Sequence, residues 1–194
     1  MLPAMSHGVL VRIVAAAWAV PVLVWVVSWL FAKRVGRRMS RRGWAFEVVW
    51  RLAVVAAFVL VLRKPSLRGL LWWTFPTALQ VIGTTFAVLG AGLAVWARVS
   101  LGRNWGTPQT LKKEPELVTR GPYAVIRHPI YAAILLAFVG SSLVFGPVWL
   151  IPFAGISASF VRSAFVEEKL LRERLPEAYP AYMARTKRLI PFVW

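Results

Sequence analysis

Between two long apolar regions the chain carries Leu117 to Tyr131, LVTRGPYAVIRHPIY, and two apolar runs later it carries the acidic pair Glu167-Glu168. Tyr123, Arg127, His128, Tyr131 and the glutamates therefore stand at the edge of segments apolar enough to enter a bilayer. A polar or charged group left without a partner there is costly, so each needs one, and a bound polar ligand would supply it. Arg127 and His128 can donate to a carboxylate, and Glu167 can accept from an ammonium. The faces of Tyr123 and Tyr131 suit a cation or a flat heteroaromatic ring. Gly121 ahead of Pro122 predicts a sharp turn that lets backbone approach a ligand, and Pro129 holds His128 out of helical geometry until the next helix begins.

Taken singly, these residues have plainer explanations. Tyr123 and Tyr131 would suit an interfacial belt, and a solitary histidine commonly sits at a helix end. Glu168 and Arg172 stand at i and i+4, as do Lys169 and Glu173, so pairing on an exposed helix face accounts for Glu168. The ligand reading rests on the whole set arriving at one membrane face.

The order G-P-Y at 121–123, R-H-P-x-Y at 127–131, E-E at 167–168 and Y-x-x-Y at 179–182 in a basic tail resembles the isoprenylcysteine carboxyl methyltransferases and the related phospholipid N-methyltransferases. The resemblance runs from Leu101-Gly102-Arg103-Asn104-Trp105 to Pro191. It implies an integral membrane enzyme that uses S-adenosylmethionine and releases S-adenosylhomocysteine. It implies cofactor contacts at Leu117, Val118, Tyr123, His128, Tyr131 and Glu167. Read from the residues themselves, Gly121, Pro129 and Glu168 join the cofactor-facing set, and Arg127, Glu167 and Arg162 form the catalytic set. The chain departs from the family pattern at two places. Ser163 stands one helical turn before Glu167, where prenylcysteine enzymes carry a substrate-orienting arginine, and the nearest arginine, Arg162, is about 100° further around a helix. Pro115 stands where relatives often have a histidine.

Methyl transfer from a sulfonium is an in-line displacement, so alignment and exclusion of water carry most of the catalysis. A carboxylate acceptor is already ionised near neutral pH, whereas an amine must first lose a proton. With His128 and the glutamates engaged by the cofactor, the carboxylate of an isoprenylcysteine-type lipid is the expected acceptor, and N-methylation of an aminolipid is the alternative. A non-catalytic membrane scaffold or lipid-binding protein is the reading from another class. A purely structural role gives no reason for R-H-P-x-Y and an acidic pair at the same face.

The elements that must position these residues are apolar helices. Hydrophobic residues make up 59% of the 194, above the roughly one half of a soluble domain, so the chain is expected to be membrane-embedded. The absence of cysteine excludes disulfides and thiolate sites, and only two histidines, His7 and His128, argue against a metal centre. The net charge of +17 fits cytoplasmic loops facing anionic headgroups better than it fits nucleic acid. No G-x-G-x-x-G follows a strand-like run, so no Rossmann domain is expected and helix ends and loops must hold the cofactor.

Val9 to Ala32 is long enough to cross the hydrocarbon core, and it exceeds the apolar stretch of a cleaved signal peptide. Lys33, Arg34, Arg37, Arg38, Arg41 and Arg42 follow, which places that loop in the cytoplasm and the N-terminus outside. Phe46 to Leu62 is the second expected span, with Glu47 and Arg51 pairing at i and i+4. After the external loop holding Arg63, Lys64 and Arg68, Trp72-Trp73 suits the interface. The third span runs from Pro76 to about Val99, with Gly83, Gly90 and Gly92 admitting a neighbouring helix. A polar loop from Arg98 to Arg127 lies on the side of the first basic block. Ile130 to Phe145 and Val148 to Phe165 form a hairpin turned by Gly146-Pro147, and helix continues from Glu167 to about Leu175. That hairpin is what returns Glu167-Glu168 to Arg127-His128.

The expected protein is thus an all-α integral membrane protein of about five spans. Residues 1–100 hold the first three helices and residues 101–194 form the catalytic region. The cofactor site faces the cytoplasm, in a bacterial inner membrane or the endoplasmic reticulum. Its partners are the bilayer and a lipophilic methyl acceptor, with no nucleic acid and no metal, and nothing in the sequence sets an oligomeric state.

Overall fold

A computed structural model describes residues 6–29, 35–37, 41–64, 69, 73–105, 111–112 and 116–194. Its helices are α1 (His7–Trp29), α2 (Arg41–Arg63), α3 (Thr77–Leu101), α4 (Pro129–Phe145), α5 (Leu150–Arg174) and α6 (Ala178–Arg185). Two short strands, β1 (Val35–Arg37) and β2 (Leu111–Lys112), pair antiparallel, which sets the segment after α1 beside the loop after α3. Three helical stretches are long and apolar enough to cross a membrane, His7–Ser28, Thr77–Asn104 and Pro147–Arg174. Val48–Val61 and Pro129–Phe145 are shorter apolar stretches. Leu23, Val26, Leu52, Leu60, Leu89 and Val99 point outward with more than half their surface open. A continuous apolar exterior of that kind suits lipid rather than water. The side chains from Lys33 to Arg42, those of Glu47 and Arg51, and residues Arg68, Trp72 and Pro115 lie outside the described residues.

Hydrophobic attraction cannot drive helices together inside lipid, so close packing must. The seam between α3 and α4 shows how. A Cβ added to Gly90 would sit 2.6 Å from the Ala133 carbonyl oxygen and from the Ala137 nitrogen, and one added to Gly83 would sit 2.6 Å from the Gly140 carbonyl oxygen. Only hydrogen fits at these points, so the two backbones touch. Gly92, expected to join this seam, instead faces open space. Two residues beyond Gly90 is about 200° around a helix, which turns it to the opposite face. Across the seam lies α1, where Leu10 and Val14 pack with Ala87 and Val144 and Trp18 Nε1 donates to Ser141 Oγ at 2.9 Å. On the other side α2 meets α5, with Trp50 Nε1 donating to the Gly155 carbonyl at 3.1 Å.

Two boundaries differ from expectation. The helix α3 continues to Leu101, so Arg98 lies inside it rather than opening the polar loop. Arg98 is buried because its guanidinium finds partners within the bundle: it donates to the Gly102 carbonyl at 2.6 Å and the Ser28 carbonyl at 3.2 Å, and lies 4.8 Å from the Trp105 ring centre. The arm expected as Val148 to Phe165 and the helix from Glu167 are one element, α5. The turn before it is as the residues predict, with Gly146 at φ +106 and a 3₁₀ turn over Pro147–Trp149.

Candidate functional site

The site begins at the end of α3. Gly121 adopts φ +60, and a Cβ there would meet Ser100 Oγ at 2.6 Å and Trp96 Nε1 at 3.3 Å. Glycine is required twice over, by the left-handed backbone and by the contact. The 3₁₀ turn it opens, Gly121–Ala124, buries Pro122 and Tyr123. The Tyr182 hydroxyl donates to the Tyr123 carbonyl at 2.6 Å. Burial, followed by the neighbouring Tyr182, raises the Tyr123 phenol well above its ordinary value. Leu117 and Val118 lie half-buried in the extended approach to this turn.

Residues 125–128 then run alongside 187–188. Lys187 N–H donates to the Val125 carbonyl at 3.1 Å, Arg127 N–H to the Lys187 carbonyl at 2.7 Å and His128 N–H to the Arg188 carbonyl at 3.0 Å. His128 stays outside the helix at φ −123, ψ 59, and the buried Pro129 opens α4. The pairing brings Arg188, far along the chain, next to Arg127.

Where α4 begins and α5 nears its end, the two motifs meet. The Tyr131 hydroxyl donates to Glu167 Oε1 at 2.5 Å. The Tyr131 ring is stacked between His128, centroids 5.4 Å apart, and Phe160, at 4.4 Å. His128 Nδ1 lies 3.7 Å from Glu167 Oε2. Its Nε2 lies 3.4 Å from Glu168 Oε1, turned toward that carboxylate.

Glu168 does not pair on an exposed helix face. Its side chain has no exposed surface, and it accepts from Arg127 Nε at 2.8 Å, Arg188 Nε at 3.0 Å and Arg188 Nη2 at 2.8 Å. Arg172 reaches only as far as its backbone carbonyl, at 3.4 Å. Tertiary return of residues 186–188 overrides the local i, i+4 geometry, because a buried carboxylate needs cations that a neighbouring turn cannot deliver in full. Arg127 also directs Nη1 to the Thr186 carbonyl at 2.5 Å and the Met183 carbonyl at 3.4 Å. Arg127 and Glu168 thus tie α5, the approach to α4 and residues 183–188 together. Glu167, one residue and about 100° away on the helix, remains 22% exposed and faces Tyr131 and His128.

The remaining expected catalytic residue, Arg162, is half-buried on α5 beside the buried Ser163. Sequence reasoning missed Arg188, Tyr182 and Phe160. The basic pair Lys187-Arg188 and the Y-x-x-Y spacing were the available signals. The Arg188 guanidinium also lies over the Phe165 ring at 3.9 Å, and its bond to Glu168 holds it charged. Burial pushes the Tyr182 phenol up to about 12. Among the described residues no three histidine or carboxylate groups come together as a metal site would require.

The model of the phospholipid methyltransferase family matches residues 79–178. Protein-S-isoprenylcysteine O-methyltransferase B of Arabidopsis thaliana is 29% identical over 126 residues, 63% of this chain and 61% of that protein. The nickel-cobalt-cadmium resistance protein NccN of Alcaligenes xylosoxydans xylosoxydans is 28% identical over 149 residues, 74% of this chain and 63% of the relative. The cobalt-zinc-cadmium resistance protein CzcN of Cupriavidus metallidurans is 31% identical over 149 residues, 74% of this chain and 62% of the relative. The chain thus spans less than two thirds of the length of each of these three.

Proposed function

The chain belongs to the phospholipid methyltransferase family, and on that premise we propose that it is a five-span membrane enzyme that methylates a lipid-like acceptor with S-adenosylmethionine. The observation that carries the reading is the meeting of His128, Tyr131 and Glu167, with Tyr131 bonded to Glu167 at 2.5 Å across α4 and α5. The donor set fits the cofactor in kind. Glu167 would accept from its ammonium, His128 would add a polar contact beside Glu167, and the tyrosine faces would suit adenine or sulfonium. The cofactor, when bound, supplies an electrophilic methyl group on a cationic sulfur. Arg127, Glu168 and Arg188 keep the two helices and residues 186–188 in register, so that His128 and Glu167 face the ligand.

The acceptor enters sideways from the bilayer and the cofactor from the cytoplasmic face, which is also the side of the two basic loops. The preferred acceptor is the carboxylate of an isoprenylcysteine-type lipid. No residue of the set is left over to deprotonate an amine, and the match to Protein-S-isoprenylcysteine O-methyltransferase B supports the reading. N-methylation of an aminolipid is the second reading, favoured by the description of the family itself.

Calorimetric titration with S-adenosylhomocysteine tests the cofactor. The parent protein should bind it, and Glu167→Gln and His128→Ala should each weaken binding by at least about tenfold, the weight of one good hydrogen bond to a charged group. No binding by the parent, or equal binding by both variants, overturns the reading. Labelled methyl appearing in prenylcysteine analogues rather than amine headgroups decides the acceptor.

A further inference from the structure

Residues 186–194 leave the site and fold back on themselves. The amides of Leu189 and Ile190 donate to the Trp194 carbonyl at 2.8 and 2.7 Å, and the Trp194 amide donates to the Ile190 carbonyl at 3.1 Å. Closing this hook holds Phe192 at φ +64, in the left-handed region that a bulky residue rarely adopts. The strain presents an apolar tip: Ile190, Phe192 and Val193 are 52%, 85% and 72% exposed. Three large apolar side chains held out together gain nothing from water.

The inner side of the hook has the opposite character. It borders an open cavity of about 270 Å³ lined by Arg127, Lys187 and Arg188 with Met183, Thr186, Val193 and Trp194, and no acidic side chain is among its lining residues. Glu168 brings one negative charge against the two guanidinium groups that bind it, and Lys187 adds a third cation, so the side chains around the cavity keep a net positive charge. The hook is also continuous with the lipid-facing surface. Arg188 covers the ring of Phe165, which is itself 49% exposed on α5, and Leu189 packs with Tyr131 and Ala164. Cations beneath and apolar side chains beside them, at the end of a membrane helix, match an amphiphile with an anionic head.

We propose that residues 186–194 are a docking site for a bilayer phospholipid, with its phosphodiester in the cavity under Arg127, Lys187 and Arg188 and the tip of Ile190, Phe192 and Val193 seated in the interfacial layer. The proposal is independent of methyl transfer and of the acceptor.

Because the chain has no cysteine, Phe192→Cys carries the only thiol, and a nitroxide attached there reports its depth. In vesicles of phosphatidylcholine with phosphatidylglycerol, power saturation should find the nitroxide open to oxygen and shielded from a water-soluble nickel chelate. Native mass spectrometry in detergent should find phosphatidylglycerol retained on the full chain. Lys187→Gln should reduce that retention about fivefold, the weight of one basic residue at an anionic surface, with thermal unfolding unchanged. An equal concentration of inorganic phosphate should displace no lipid. A nitroxide open to the chelate, lipid retention untouched by Lys187→Gln, or displacement by inorganic phosphate each overturns the proposal.

Discussion

Replacing Glu168 with glutamine separates a structural brace from a ligand contact. The side chain is fully enclosed, its two arginine partners are 9% and 14% exposed, and the three charged hydrogen bonds measure 2.8, 3.0 and 2.8 Å. Glutamine keeps the shape but removes the charge, and its amide turns a donor toward guanidinium groups that also only donate. Two cations are then left buried together without an anion. Removing one partner of a buried ion pair costs about 3–5 kcal/mol, and little solvent reaches this cluster to screen it. For a chain of this size each kcal/mol lowers the melting temperature by about 2–4 °C, so Glu168→Gln should melt roughly 10 °C below the parent. Arg172→Gln, which removes a single weak contact to a backbone carbonyl, should shift it by no more than about 2 °C. Tryptophan fluorescence during heating in detergent measures both. The reasoning fails if Glu168→Gln melts with the parent, or if Arg172→Gln is equally damaging, since Glu168 would then be a surface residue after all.

Three further outcomes follow from other parts of the fold. Gly90→Val should destabilise the bundle by about 2–4 kcal/mol through overpacking against the α4 backbone, whereas Gly92→Val, with nothing near it, should leave the melting temperature close to the parent's. Gly121→Ala should cost about 1–3 kcal/mol for a non-glycine residue at φ +60 pressed on Ser100, and weaken S-adenosylhomocysteine binding as the turn shifts. Burial keeps the Tyr182 proton on to about 12 while the unfolded chain releases it near 10. The folded state therefore holds the extra proton between those values. Its contribution to stability is whole below pH about 10 and is lost as pH rises through about 12. Melting curves from pH 9 to 12 should show a smaller alkaline loss in Tyr182→Phe than in the parent.

Much of this architecture is legible in residue order. Gly146-Pro147 announces the hairpin, Gly121-Pro122 the turn, and His128-Pro129 the helix start, because each places backbone constraints that few other residues satisfy. Gly83 and Gly90 announce the helix seam, though Gly92 shows that a glycine near a seam need not face it. The return of Glu167 to His128 follows from counting apolar arms. What stays hidden is the identity of the partner when it arrives by a long return. The i, i+4 arginine beside Glu168 is real in sequence, yet Arg188, twenty residues on, takes the carboxylate, since only the strand-like pairing of 125–128 with 187–188 brings it inside. Arg98 misleads for the same reason. A basic residue near a helix end suggests a loop, whereas the Gly102 and Ser28 carbonyls and the ring of Trp105 give it a place within the bundle.

The pairing of 187–188 with 125–128 also sets the order of biosynthesis. Arg188 is synthesised after α6, the last of the described helices. Until that moment Glu168 has only Arg127 of its two arginine partners. A message cut short just past α6 would yield a chain that keeps the glycine seam between α3 and α4 yet lacks the second arginine that Glu168 requires.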